Sequence, residues 1–154
     1  MHIVLVEPEI HGNTGSVART TAVTGTTLHL VEPLGFSLED RYLKRAGLDY
    51  WPLVDLHVHP NLEAVLSQAP LERRHLFTTR SDAPYTSVPY TWDDWLFFGR
   101  ESVGLPEGFL EAHPERCWRI PMRPVPGARS LNLANAVSIV LYEALRQLNF
   151  PGLS

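Results

Sequence analysis

His2-Ile3-Val4-Leu5-Val6-Glu7-Pro8-Glu9-Ile10-His11-Gly12-Asn13-Thr14-Gly15-Ser16-Val17-Ala18-Arg19 is a short apolar run, then a polar turn, then a segment that a helix can occupy. The run does not alternate apolar with polar residues, so it reads as a strand buried on both faces. Asn13 or Thr14 is placed to cap the helix that follows, and Gly25 can close it. The same pattern recurs along the chain. Further candidate strands are Leu28–Val31, Leu53–Val58, His75–Thr79, Trp95–Phe98 and Cys117–Ile120. Between them, Ser37 with Asp40 resembles a capping box that Gly47 can close, and Asn61 can cap Leu62–Gln68. Pro106 can open a short helix that ends before Pro114. From about Leu131 to Leu148, the residues Leu133, Val137, Val140, Leu141, Ala144 and Leu148 recur at helical spacing. Strand–helix alternation predicts an α/β fold, a mostly parallel sheet with helices on both faces, in one domain over 1–154. Ligands of such sheets bind beyond the carboxyl ends of the strands, so the loops after the strands are where chemistry belongs.

Composition narrows the function classes. Hydrophobic residues make up 44% and charged residues 19% of the 154, which excludes a disordered chain. No apolar run approaches the roughly 20 residues of a membrane-spanning helix. The N-terminus lacks a basic segment before its apolar run, so a cytoplasmic location is expected. Cys117 is the only cysteine, which excludes an internal disulfide and a cysteine-based zinc site. The net charge of −4 does not advertise nucleic-acid binding, although a local patch can still hold phosphate. Of 13 basic residues only Lys44 is lysine; the arginine excess suits bidentate phosphate contacts, and genome composition can produce the same bias. Arg41, Lys44 and Arg45, followed by Tyr50 and Trp51, form either a nucleic-acid contact or a solvated face.

Three loops carry candidate chemistry. Pro8 to Arg19 combines glycines with a helix N-terminus, which favours anions, but it lacks the dinucleotide-binding glycine spacing. Phe98-Gly99-Arg100-Glu101-Ser102-Val103-Gly104-Leu105-Pro106 has Walker-like glycines, yet Leu105-Pro106 stands where Lys-Ser/Thr would be, so a P-loop is rejected. Ile120-Pro121-Met122 through Arg129-Ser130-Leu131-Asn132-Leu133-Ala134-Asn135 leads into the last helix, with Ser130 a candidate cap. Asn132, Asn135 and Tyr142 fall on one face of that helix. His57-Val58-His59 puts two imidazoles on one strand face, a weak zinc signal beside the plainer reading of a strand end. Cys117 reads as an inert core residue.

Taken in this order, the three segments resemble the SPOUT superfamily of methyltransferases, most closely its small single-domain TrmL-like branch of tRNA wobble-nucleotide 2′-O-methyltransferases. Pro8-Glu9-Ile10…Asn13-Thr14-Gly15…Ala18-Arg19 is similar to the first motif. Phe98-Gly99…Glu101…Gly104-Leu105-Pro106 is similar to the second, and Ile120-Pro121-Met122…Arg129-Ser130-Leu131-Asn132-Leu133…Asn135 to the third. Glu32-Pro33-Leu34-Gly35-Phe36, Arg45-Ala46-Gly47-Leu48-Asp49-Tyr50 and Tyr142-Glu143-Ala144-Leu145-Arg146-Gln147 also match.

The resemblance implies a deep C-terminal trefoil knot, an obligate homodimer, and S-adenosylmethionine as methyl donor with no metal. It places the cofactor at Phe77, Thr78, Gly99, Ile120, Ser130 and Leu131. It implies a tRNA anticodon stem-loop as substrate, with no DNA or membrane partner, and cytidine or a modified uridine as the wobble target. Arg19, Asn13, Glu101, Ser130, Asn135 and Tyr142 would form the catalytic set. The sequence departs from the pattern at His11-Gly12, at Arg100, at Ala134, and in a longer stretch between Met122 and Arg129. Two alternatives stand beside this reading: the same chemistry on another tRNA or a ribosomal RNA ribose, and a non-catalytic RNA-binding module of the same fold.

Overall fold

The computed structural model describes residues 1–39 and 50–154. The helix predicted between Ser37 and Gly47, and the Arg41, Lys44 and Arg45 patch, therefore fall wholly or largely outside the described residues. Six strands form one sheet: β1 (His2–Val6), β2 (Thr27–Val31), β3 (Asp55–His59), β4 (Arg74–Phe77), β5 (Trp95–Phe98) and β6 (Cys117–Trp118). Their order is β3-β2-β1-β5-β4-β6, and every pairing is parallel. Four α-helices are described: α1 (His11–Thr24), α2 (Leu62–Leu66), α3 (Glu107–Ala112) and α4 (Leu133–Gln147).

The unbroken apolar runs follow from burial on both faces. On β1, Ile3 and Leu5 join one core with Val17 and Ala18 of α1 and Val137, Val140, Leu141 and Ala144 of α4. Val4 and Val6 point the other way, into a second core with Val65 of α2 and Phe109 and Leu110 of α3. Trp95 and Phe97 of β5 divide from Leu96 and Phe98 in the same manner. With period-two side chains, both registers must be apolar.

Several boundaries differ from the sequence expectation, each for a local reason. Trp51–Leu53 forms a 3-10 turn with Pro52 inside it, so β3 starts at Asp55 instead of Leu53. β4 ends at Phe77, and β6, whose strand partner is β4, is correspondingly short. Beyond Trp118 the chain is held by Arg119, bridged to Pro84 instead of to a strand. Helix α1 begins before Asn13, with Ile10 as N-cap and no side-chain cap bond. Neither Asn13 nor Thr14 is the cap, because the helix starts at His11 and both lie inside its first turn. Gly25 does close the helix, at φ 69°. Asn132, not Ser130, caps α4: its Oδ1 accepts the Asn135 N–H at 3.1 Å. Asn61 caps α2 as expected, accepting from the Ala64 N–H at 2.9 Å.

One sheet face carries a polar inlay. His2 Nδ1 lies 2.9 Å from His29 Nε2, and His29 Nδ1 lies 2.9 Å from His59 Nε2. His57, on the same face, bonds Asp55. Each ring-to-ring bond needs one donor and one acceptor nitrogen, so the ladder is satisfied by neutral imidazoles. Burial, reinforced by neighbouring positive groups, pushes His2 down to about 4 and His29 down to about 3, and lowers His59. Folded values below the unfolded value mean that the unfolded chain binds more protons as pH falls through about 6.5. Stability is therefore expected to fall steadily from pH 6.5 towards pH 4. Thermal melts of wild type and His29→Gln across that range check this, since the variant should show a shallower slope. Equal slopes would remove the ladder as the cause.

Candidate functional site

The carboxyl ends of β1, β4, β5 and β6 meet at one edge of the sheet. The loop after β5 is a tight turn: Arg100 N–H donates to Gly104 O and Gly104 N–H to Arg100 O, at 3.3 and 2.8 Å. Gly104 takes φ 76°, and a Cβ on Gly99 would lie 2.0 Å from the Gly104 carbonyl carbon. Only glycine fits there. The turn projects Glu101 back onto the loop after β1. Its carboxylate accepts the Glu9 N–H at 2.7 Å, the Ile10 N–H at 3.1 Å and the Asn13 amide at 3.3 Å. A carboxylate from far along the chain thus sits just ahead of the α1 N-terminus, on the N–H groups of Glu9 and the N-cap Ile10, where negative charge is favoured.

Glu9 returns the contact. Its carboxylate accepts both the Ser102 N–H and the Ser102 hydroxyl. These bonds, with the nearby Arg100 guanidinium, hold the Glu9 carboxyl below its ordinary range. Two glutamates, one on each loop, lock the loops together. The network then continues into α4. Asn13 Oδ1 accepts from Asn132 Nδ2 at 3.0 Å, and Asn132 in turn caps α4. A single polar chain therefore joins three segments that are distant in sequence.

Below it lies a cavity of about 840 Å³, within the range of small-molecule sites. Its walls include Phe77, Thr78, Gly99, Ile120, Ser130 and Leu131, all six residues expected to touch a cofactor, and also Asn13, Glu101, Met122 and Asn132. Phe77 and Phe98 stack at 5.0 Å between ring centroids on its apolar side. Arg80, Arg100 and Arg129 also line it, Arg80 paired with Glu107 at 2.8 Å and Arg100 with Glu9 at 3.6 Å. Between Ile120 and Leu131 the backbone–backbone hydrogen bonds are Val125 N–H to Arg123 O and Ala128 N–H to Val125 O. Most peptide groups of this loop are therefore uncommitted to other backbone beside the cavity.

The remaining expected residues are not on that wall. Arg19 is exposed on α1, with its Cζ 4.4 Å from the centroid of the Tyr50 ring. Asn135 and Tyr142 lie on an exposed stripe of α4 with Ile139 between them, and Tyr142 is 45% exposed. Sequence reasoning did not single out Glu9, and it named Tyr50 only as an aromatic after the basic patch and not as a partner of Arg19. Glu9 had a signal, an acid one residue ahead of the N-cap of a helix with no acidic residue in its first turn. Among the described residues, no group of three His, Cys, Asp or Glu side chains could hold a metal ion. His57 and His59 belong to the imidazole inlay instead. Cys117 is buried, which pushes its thiol up and leaves it as packing. No described helix is long and apolar enough to cross a membrane.

Comparison with known proteins identifies the family. A model of the SpoU rRNA methylase family matches residues 1–142. The tRNA (cytidine(34)-2'-O)-methyltransferase of Escherichia coli (strain K12) is 46% identical over 153 residues, covering 99% of this chain and 96% of the relative. That of Methylovorus glucosotrophus (strain SIP3-4) is 47% identical over 151 residues, covering 97% of each. A structure solved for insight into 2-OH methylation of C/U34 on tRNA superposes with a TM-score of 0.90 at 49% identity, covering 96% of this chain and 95% of that one. With the family model spanning most of the chain and full-length relatives near half identity, the chain belongs to the SpoU rRNA methylase family.

Proposed function

We propose that this protein is an S-adenosylmethionine-dependent tRNA ribose 2′-O-methyltransferase acting on the wobble nucleotide, cytidine or a modified uridine. It works in the cytoplasm on the anticodon stem-loop, as a homodimer of single 1–154 domains that each carry the trefoil knot of the SPOUT fold. One observation carries the reading. The loops after β1 and β5 and the loop before α4 are bonded to one another around one cavity, and relatives of that activity match the whole chain.

The residues present suit the cofactor. Phe77, Ile120 and Leu131 offer apolar surface to an adenine ring, and the peptide groups of Gly99 and of the loop before α4 offer donors and acceptors to polar edges. When bound, S-adenosylmethionine supplies an activated methyl group on a sulfonium. Positioning then carries much of the rate, because reaction requires the ribose hydroxyl to be held in line. Glu101 orients the first loop through Glu9 and Ile10, and Ser130 and Asn135 orient substrate or cofactor. The 2′-hydroxyl must shed its proton, and a guanidinium is too weak a base to take it. Arg19 therefore stabilises the developing alkoxide and anchors phosphate.

Arg19 lies outside the cavity of its own chain. A symmetric partner supplies a reason, since it brings one subunit's α1 surface towards the other's cavity. The exposed Asn135, Ile139 and Tyr142 stripe supports α4 as part of that contact. Tyr142→Asp is expected to shift the assembly towards monomer, because it would bury an unpaired charge. Light scattering under dilution reads this. A wild-type monomer at micromolar concentration ends the dimer reading, and an unaffected variant moves the interface elsewhere. The activity itself is tested by incubating the protein with total RNA, tRNA and ribosomal RNA together, and labelled cofactor, and mapping the methylated nucleotide. Label at position 34 supports the proposal. Label on ribosomal RNA only, or binding without transfer, would favour the alternatives.

A further inference from the structure

We infer that Tyr50 is a positioning residue for the reaction, holding the Arg19 guanidinium by the face of its ring. The inference rests on the Arg19 role just proposed. Arg19 Nη2 donates to the Tyr50 hydroxyl at 3.3 Å, and Cζ lies 4.4 Å from the ring centroid. Among the described residues, no carboxylate lies within ion-pair distance of Arg19.

That choice of partner matters chemically. A carboxylate would orient the guanidinium but would also neutralise it and take its donors in a bidentate fork. An aromatic face attracts the cation through its quadrupole and leaves the charge in place. Among the described residues, the Tyr50 hydroxyl is the one group that takes any of the five N–H donors of Arg19, and the ring face leaves the others to point at an alkoxide or phosphate.

The ring is itself firmly carried. Tyr50 O accepts the Leu53 N–H at 2.8 Å, which starts the Trp51–Leu53 turn. Trp51 packs partly buried against the core shared with α1, the helix that bears Arg19. Arg19 and Tyr50 thus stand on two elements packed against each other, and the ring contact restricts the long arginine side chain. On this account Tyr50 acts on turnover through Arg19, not on cofactor affinity.

The test uses full-length protein with tRNA substrate and S-adenosylmethionine. Tyr50→Leu should lower kcat by about 5- to 30-fold, which is the strength of one cation–π contact expressed as a rate. The KM for S-adenosylmethionine should stay at its wild-type value. Tyr50→Phe keeps the ring face and should recover kcat to within about threefold, matching the modest worth of one exposed hydroxyl bond. In an Arg19→Ala background, Tyr50→Leu should add no further loss, because coupled residues are not additive. Ring-current shifts of the Arg19 side-chain protons, present in wild type and Tyr50→Phe and lost in Tyr50→Leu, report the contact without any turnover. Full activity of Tyr50→Leu beside an inactive Arg19→Ala overturns the inference and spares the Arg19 role. Equal damage from Tyr50→Phe and Tyr50→Leu overturns it as well, assigning the effect to the hydroxyl. Normal turnover of Arg19→Ala would overturn both.

Discussion

Arg19→Ala is expected to cut methyl transfer to tRNA by about 10²–10³-fold, the usual cost of removing one donor aimed at developing negative charge. Fold and cofactor affinity should stay near wild type. Arg19 is exposed, lies off the cavity wall, and sits on a helix where alanine is well tolerated. Arg19→Lys should fall in between, because an ammonium keeps the charge but loses the planar fork that stacks on Tyr50. Single-turnover assays at saturating tRNA, with circular dichroism and cofactor titration as controls, separate chemistry from folding. Near-normal turnover by Arg19→Ala would refute its assignment.

Gly99→Val is expected to reduce cofactor affinity by roughly 10²-fold or more, consistent with the penalty of forcing atoms into a packed site. From sequence, the expectation is that a bulky side chain would block the pocket. The structure gives a different cause. A Cβ at Gly99 points into its own turn, 2.0 Å from the Gly104 carbonyl carbon and 2.1 Å from the Leu105 nitrogen. The turn must open, which moves Glu101 and Ser102 and loosens their hold on Glu9 and Ile10. The two causes separate with Gly99→Ala. Pocket blocking leaves alanine nearly harmless, while turn opening makes even one methyl group damaging. Calorimetric titration decides between them, and normal binding by a folded Gly99→Val would sink both.

Much of the architecture was legible because its causes are local or periodic. Continuous runs such as Trp95–Phe98 announce burial on both faces, and the spacing of Val137, Leu141 and Ala144 announces a helix with one buried stripe. The sheet edge that holds the cavity was legible from strand–helix alternation, but its individual wall residues only through resemblance, since nothing in the spacing of Phe77, Gly99 and Ile120 says that they converge. The caps misled for a physical reason. Asn13 has the chemistry of an N-cap, yet its amide serves Glu101 and Asn132, 88 and 119 residues away. Ser130 likewise stands near a helix start whose cap is Asn132. Polar residues with short side chains advertise a bond but not its partner. Tyr50 gave even less, because a ring beside a basic patch reads equally as a surface aromatic until its distance to Arg19 is known.

The sheet order also sets a timetable for the chain as it is synthesised. With β1 in the middle, β2 and β3 supply one flank by residue 59, but the other edge of β1 stays bare until Trp95–Phe98 follows. The Glu9–Glu101 clasp can close soon afterwards. The bond from Asn132 to Asn13 must wait for almost the entire chain, and it is α4 that then covers the Ile3 and Leu5 side of the sheet. Contacts of such long sequence separation are slow to form. Any nascent or clipped chain that ends short of Leu133 therefore leaves the Ile3 and Leu5 face of the sheet uncovered and lacks the part of the cavity wall that Leu133 and Ala136 supply.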